Sequence, residues 1–416
     1  MSIYTSATER SNSTASRSSS AVKLPSLTGL RWLAAFLVFG FHVGTLNLIQ
    51  KPYFHYKWDK LFGQGASGVS FFFVLSGFVL VWSSRPGDKA VSFWRRRVAK
   101  IFPNHMVTWG IALAFMFYWG VRVHPEVAVG NLFLIHPWLN FDGFPYSMNT
   151  VSWSLGCEAF FYLCFPIVLP LIKRVPAWTL YALVAVCFWA IQQAGVTASH
   201  MQYPWNAWFS YLFPPVRSLE FWIGVAVGEL VVRRRWGGPG LWGGTAVAAL
   251  LYGSTRGVSW WPVSTPAEWW SADLAVAYVI LIAGAAQADI AGAWSPWRNK
   301  VMVKLGEISF AFYLVHVMFI ENILAWLHRN GVGWSVGEAS IVIPVLLSCA
   351  MALAWLLYTF VELPMMRILG PSRRRPPTTG AETAIPEPRT DSAEPPTTQT
   401  ALGALSNNDP RDRTPA

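Results

Sequence analysis

The chain reads as long apolar stretches separated by short polar connections, most of them basic. A membrane-crossing helix needs about 20 consecutive apolar residues. Stretches of that kind are predicted over 29–49, 65–84, 101–121, 151–172, 177–195, 211–232, 240–254, 272–288, 305–327 and 340–361, with the seventh and eighth short or glycine-rich. Outside this body the pattern stops. Residues 1–23 are polar and Ser/Thr-rich, and 371–416 are rich in Pro, Thr and acidic side chains. Neither offers a heptad or a plausible core, so both are expected to be disordered tails. The predicted fold is all-α: a polytopic integral membrane domain of about ten transmembrane helices over 24–370 between two disordered cytoplasmic tails.

The connections give an orientation. If the N-terminus is inside, every second connection should be the basic one. The stretch 85–100 holds Arg85, Lys89, Arg95, Arg96, Arg97 and Lys100. The following inside connections carry Lys173 and Arg174, then Arg233 to Arg235, then Arg298, Lys300 and Lys304, and the C-terminal side has Arg367 and Arg373 to Arg375. Outside connections are poorer, with Arg122, Arg256 and Arg329; the first, with Lys51, Lys57 and Lys60, is the exception. Both termini are predicted cytoplasmic in a multi-pass protein of the plasma membrane, whose first partner is the lipid bilayer.

Composition agrees. Hydrophobic residues make up 53% and charged residues only 13%, about half the share of an ordinary soluble protein. A net charge of +11 would suit nucleic acid, but its confinement to short clusters between spans argues against it. Cys157, Cys164, Cys187 and Cys349 lie in apolar runs without a C-x-x-C pair, so neither a disulfide framework nor a metal site is expected.

Ionisable groups inside a bilayer are costly and point to function. Within the predicted spans they are Arg31, His42, Glu158, Arg217, Glu220, Glu229, Asp273, Glu307, His316 and Glu321, with His105 near a predicted end. Arg31 and His42 are eleven residues apart. On a helix that is about 20° beyond three turns and about 16 Å along the axis, so both share a face. Depth along the spans brings Glu158, Arg217, Glu220 and His316 toward the middle and outer half. Arg217 and Glu220, at i and i+3, also read as a neutralising pair, and His316 as a packing histidine. Arg97 and Lys100 share a face at the start of the third span, where they read as positive-inside charge or as a clamp for phosphate.

The residues Leu24-Pro25-Ser26-Leu27-Thr28-Gly29-Leu30-Arg31 with Ala34-Ala35 and His42 resemble the first helix of the acyltransferase family 3 membrane proteins. Phe71 to Phe78, Phe93-Trp94-Arg95-Arg96-Arg97 with Ile101-Phe102-Pro103, and Trp153-Ser154-Leu155 with Glu158 are similar to later segments of that family. So are Arg217-x-x-Glu220-Phe221, Leu305-Gly306-Glu307-Ile308-Ser309-Phe310 with Tyr313-Leu314 and His316, and Glu362-Leu363-Pro364. One departure is Lys100, where the family often has a second Arg; a point charge replaces a bidentate fork there.

The resemblance implies an O-acyltransferase that moves an acyl group, commonly acetyl, from cytoplasmic acyl-CoA to a hydroxyl of a carbohydrate, glycolipid or glycosylated natural product. No bound cofactor is implied, since acyl-CoA is the donor substrate. His42 and Glu158 are then the expected catalytic residues, with Glu158 orienting His42 or touching the acceptor. Arg31, Arg97 and Lys100 are expected to bind acyl-CoA, and Arg217, Glu220 and His316 to be acceptor-site or structural groups. His42 reads equally as a general base or as the carrier of an acyl intermediate. The competing class is a secondary transporter of a small polar solute, which also places polar groups in spans.

Overall fold

The structure, a computed structural model, describes residues 22–46, 52–85, 87–141, 143–254, 270–330 and 334–370. The side chains of 52–55, 254, 270–273 and 336 lie outside this description. The two expected tails, and the side chain of Asp273, fall outside the described residues almost entirely.

The described residues are helical, without strands. Their helices are α1 (Pro25–Thr45), α2 (Pro52–Phe62), α3 (Gly68–Trp82), α4 (Ala90–Tyr118), α5 (Pro125–Leu132), α6 (Trp153–Arg174) and α7 (Ala177–Ser199). They continue with α8 (Pro214–Val232), α9 (Leu241–Ser254), α10 (Trp270–Ile290), α11 (Lys300–Arg329), α12 (Val336–Leu357) and the short α13 (Leu363–Ile368). Every stretch predicted to span carries one of these helices. Six helical segments are long and apolar enough to cross a membrane, those that contain α1, α3, α6, α7, α11 and α12. α9 and the apolar part of α10 are shorter. α4 and α8 owe their lower apolarity to the charges they carry, Arg95 to Arg97 and Lys100 in one, Arg217, Glu220 and Glu229 in the other. Large apolar side chains point outward from the bundle, among them Leu163 and Ile167 on α6, Trp178 and Trp189 on α7, and Ile341 and Val345 on α12. Contiguous apolar exposure of that kind is what lipid covers.

Without a hydrophobic force between helices in lipid, close packing falls to small residues. A side chain at Gly306 of α11 would collide with the Thr28 carbonyl of α1, and one at Gly224 of α8 with the Val74 carbonyl of α3. From the Thr28–Gly306 contact α1 and α11 run in the same direction. Trp32 meets Phe312 at 5.1 Å between ring centroids, and further along His42 meets His316 at 5.1 Å. α4 and α6 run in opposite directions: Phe93 stacks on Phe165 at 5.2 Å, and the Trp94 indole donates to the Tyr162 carbonyl at 2.9 Å.

The basic connections gather at one end of the bundle, together with the start of α1. Lys173 donates to Ser84 at 2.9 Å, Arg233 to the carbonyls of Val175 and Ile172, and Arg95 to the carbonyl of Leu369. Trp297 backs onto Gly29 there. At the opposite end, the long stretch between α4 and α6 folds inward instead of forming a plain loop. Asn131, His136 and Ser152 are all fully buried in it, beside the buried His105 of α4, with Asn131 Nδ2 donating to Ser147 and Ser152.

Candidate active site

Arg31, Arg97, Lys100 and Glu158 line one cavity of about 110 Å³, with Ser76, Tyr162 and apolar side chains from α3, α4 and α11 completing it. Local geometry explains the grouping. Arg31 is one turn beyond the α1–α11 crossing, Arg97 and Lys100 share a face of α4, and antiparallel pairing sets Lys100 opposite Glu158 on α6. Tyr162 donates its hydroxyl to Glu158 at 3.0 Å and approaches Ser76 Oγ at 3.1 Å. The charges of Arg31, Arg97, Glu158 and Glu362 all act on Lys100. Glu362 is buried and accepts from Asn104 at 2.8 Å. Three cations thus face two carboxylates, a local excess of positive charge.

What distinguishes these cations from their neighbours is the lack of internal partners. Arg96 forks onto Asp88 at 2.8 and 3.4 Å, and Arg95 is committed to Leu369. Among the described residues Arg31, Arg97 and Lys100 make no ion pair within 4.0 Å. Arg97 Nε is buried without a hydrogen-bond partner, and its guanidinium lies 5.7 Å from the Phe93 ring and 5.9 Å from that of Tyr162. Half-buried, unpaired cations around a cavity are arranged for an anion.

His42, in the last turns of α1, does not meet Glu158. Its partner is His316, fully buried on α11, with His316 Nε2 3.2 Å from His42 Nδ1. The surrounding carbonyls dictate the tautomers. His316 Nδ1 lies 3.1 Å from the Phe312 carbonyl and must carry a proton to donate there, so its Nε2 is an acceptor. His42 Nδ1 lies 2.9 Å from the Val38 carbonyl and is likewise the protonated nitrogen. Its N–H is shared between Val38 and His316. His42 Nε2 is left with a bare lone pair and no hydrogen bond among the described residues. Phe72 and Tyr313 link the two places: Phe72 lines the basic cavity and meets Tyr313 at 6.1 Å, and Tyr313 lies 5.9 Å from His316. The Tyr313 hydroxyl is tied to Ser154 at 3.0 Å.

Arg217 and Glu220 stand apart from both. Arg217 is 2% exposed, pairs with Glu220 at 3.2 Å and donates to Ser70 at 3.1 Å. Its guanidinium is caged by Phe73 and Tyr211 at 5.2 Å and by Trp153 at 6.0 Å. The cage joins α3, α6 and α8 and reads as a structural pair. The depth reckoning that drew Glu158, Arg217 and His316 together therefore does not hold. Glu158 belongs to the basic cavity, Arg217 to the cage and His316 to His42, because helix pairing, not depth alone, decides which side chains meet. Glu229 and Glu307 serve local pairs with Arg233 at 2.8 Å and Lys304 at 3.1 Å, and Glu321 accepts from Thr150 at 2.8 Å. Tyr162 and Ser76 lie in the family-like segments without a role of their own in the sequence reading, and Asn104 lies outside those segments. Their polar atoms matter only through the helix pairs that bury them.

A family model described as an acyltransferase domain matches residues 24–359, all of the helical body but its last two turns. The chain belongs to acyltransferase family 3. It is 37% identical over 393 residues to acyltransferase MdmB of Streptomyces mycarofaciens, covering 89% of this chain and 97% of the relative. Nodulation protein 10 of Rhizobium leguminosarum bv. viciae is 26% identical over 342 residues, covering 74% and 84% respectively. Exopolysaccharide production protein ExoZ of Rhizobium meliloti (strain 1021) is 27% identical over 315 residues, covering 74% and 91%. No solved structure matches the chain significantly. The protein is thus a transferase enzyme of the acyltransferase kind, with a helical body suited to a multi-pass place in a membrane. Its family segments explain themselves in space. The Trp153-Ser154 segment supplies both a wall of the Arg217 cage and the partner of Tyr313, and the Tyr313–His316 segment delivers the partner of His42.

Proposed function

We propose that this enzyme moves an acyl group, acetyl in the simplest case, from acyl-CoA to a hydroxyl of a carbohydrate, glycolipid or glycosylated natural product. The observation that carries the reading is the arrangement along α1: unpaired Arg31, Arg97 and Lys100 around one cavity, and the free His42 Nε2 about 16 Å further along the same helix. The cations suit the phosphates of CoA, and an extended pantetheine arm bridges a gap of that order. Names such as exopolysaccharide production protein among the relatives support a carbohydrate-like acceptor.

In this mechanism His42 Nε2 takes the proton of the acceptor hydroxyl as its oxygen attacks the thioester carbon. The tetrahedral oxyanion collapses, the C–S bond breaks, and the CoA thiolate recovers the proton from the His42 imidazolium. His316 Nε2 accepts from His42 Nδ1–H throughout and holds the ring in the productive tautomer, the part a carboxylate plays in other triads. Glu158, held by Tyr162, offsets part of the positive charge and orients the cavity's cations. The same free nitrogen would carry the acyl group in a two-step route. Exchange of labelled CoA into acyl-CoA without acceptor reports that route.

The basic end of the bundle is assigned to the cytoplasmic face of the plasma membrane, where acyl-CoA is made, with ten spans and both termini inside. The pairing directions support it, because α1 and α11, the first and ninth spans, run in parallel and α4 and α6, the third and fourth, run opposite. The test is transfer of label from radiolabelled acetyl-CoA by membranes carrying the wild type or a folded His42→Ala variant. Loss of transfer in the variant is expected. A near wild-type rate sinks the assignment, and solute movement without acetyl-CoA consumption would favour a transporter.

A further inference from the structure

At the far end of α1 from the basic cavity lies a second cavity, of about 310 Å³. We propose that it is the acceptor site and that it holds a sugar ring of the acceptor; the assignment rests on the acyl-transfer reading above. Among its lining residues are Phe41 and Thr45 of α1 and Tyr56, Trp58, Asp59 and Phe62 of α2.

The wall is built, not incidental. Gly40 and Gly44 present bare backbone toward α2: a Cβ at Gly40 would collide with the Phe62 ring, and one at Gly44 would sit 3.1 Å from the Trp58 ring. The Trp58 indole donates to the Gly40 carbonyl at 2.7 Å, and Trp58 and Phe62 lie 4.5 Å apart at 33°. α2 thereby lays an aromatic surface along the last turns of α1. Apolar faces with a few convergent polar groups, at the lower end of the usual volume of a ligand site, suit a compact amphipathic ligand. A sugar presents C–H faces to aromatic rings and hydroxyls to a carboxylate and a hydroxyl, here Asp59 and Thr45. The lining holds one carboxylate and no Lys or Arg, where the donor cavity sets three cations beside one carboxylate, so it suits a neutral ligand better than a phosphate.

Position supplies the second argument. Thr45, at the edge of this cavity, is one turn beyond His42 on the same face of α1, whereas Gly40 and Gly44 face α2 on the other side. The cavity abuts the last turns of α1, which carry His42, and Arg31 stands about 16 Å away from His42 along the helix. Donor and acceptor would thus approach His42 from opposite ends of α1 without competing for space.

The test is saturation-transfer NMR on the purified protein in lipid nanodiscs with a panel of methyl glycosides (neutral, deoxy and amino), alongside direct binding of acetyl-CoA. Ring protons of at least one glycoside should be saturated in the wild type. The signal should drop several-fold in Trp58→Ala and in Tyr56→Ala, and persist in Arg97→Ala. Tyr56 is 56% exposed, so its replacement removes little packing. No saturated glycoside in the wild type, or a signal that survives both α2 variants, overturns the proposal. A wild type that binds a glycoside but not acetyl-CoA overturns the acyl-transfer reading, and with it the acceptor role, while the sugar site itself stands.

Discussion

Arg96 and Arg97 are adjacent in sequence and equally basic, yet they are expected to behave in opposite ways. Arg97→Ala removes a guanidinium with no ion pair, packed over the Phe93 and Tyr162 rings and aimed into the basic cavity. A phosphate binding there need not first break an internal ion pair. It gains a charge-assisted hydrogen bond of about 1.5–3 kcal/mol, so its loss should weaken acetyl-CoA binding about 10- to 150-fold. Arg96 already spends its fork on Asp88 at 2.8 Å on the protein surface. Arg96→Ala should therefore change the dissociation constant by no more than about twofold. The assay is equilibrium binding of radiolabelled acetyl-CoA to each variant in nanodiscs, with insertion checked by protease protection. If Arg97→Ala binds within about twofold of the wild type, or if Arg96→Ala is just as weak, the cluster serves orientation in the membrane and the donor-site reasoning is wrong.

Three further outcomes follow from the geometry. His316→Leu should lower kcat by about 10- to 100-fold, the cost of one hydrogen bond to a ring that becomes charged, and leave acetyl-CoA binding unchanged. His316→Gln, which keeps an acceptor, should recover part of it, and an unaffected kcat in the Leu variant would remove His316 from the mechanism. Gly306→Val drives a side chain against the Thr28 carbonyl and should cost about 1–3 kcal/mol. A lowered unfolding midpoint checks this against Gly110→Ala, where nothing lies within 4 Å. His136, buried in the stretch between α4 and α6, is held down by burial to about 3 from an ordinary value of 6.5. Above that ordinary value both states are neutral. As pH falls from 6.5 toward 3 only the unfolded chain takes the proton, so stability should decline by about 1.4 kcal/mol per pH unit over that window. His136→Asn should flatten the decline in a thermal-melt series, and an equally steep decline would show that another group is responsible.

The apolar stretches by themselves determined the helices, because a backbone in lipid must satisfy its own hydrogen bonds and has little choice but helix. They did so even for the short 240–254 and 272–288 stretches. The Arg31–His42 offset was legible for the same reason: α1 is one uninterrupted helix, and helix geometry converts eleven residues into a distance. α2 was missed because its eleven amphipathic residues carry too little hydropathy to register as a span. What only the tertiary structure decided is which polar groups meet. Counting depth placed Glu158 near His42, but Glu158 pairs across an antiparallel contact with the Lys100 region, and a parallel contact seeded at Thr28 and Gly306 brings His316 there instead. Those contacts depend on where bare backbone lets two helices touch. Such a choice is made between segments far apart in the chain, and no local pattern in either one records it.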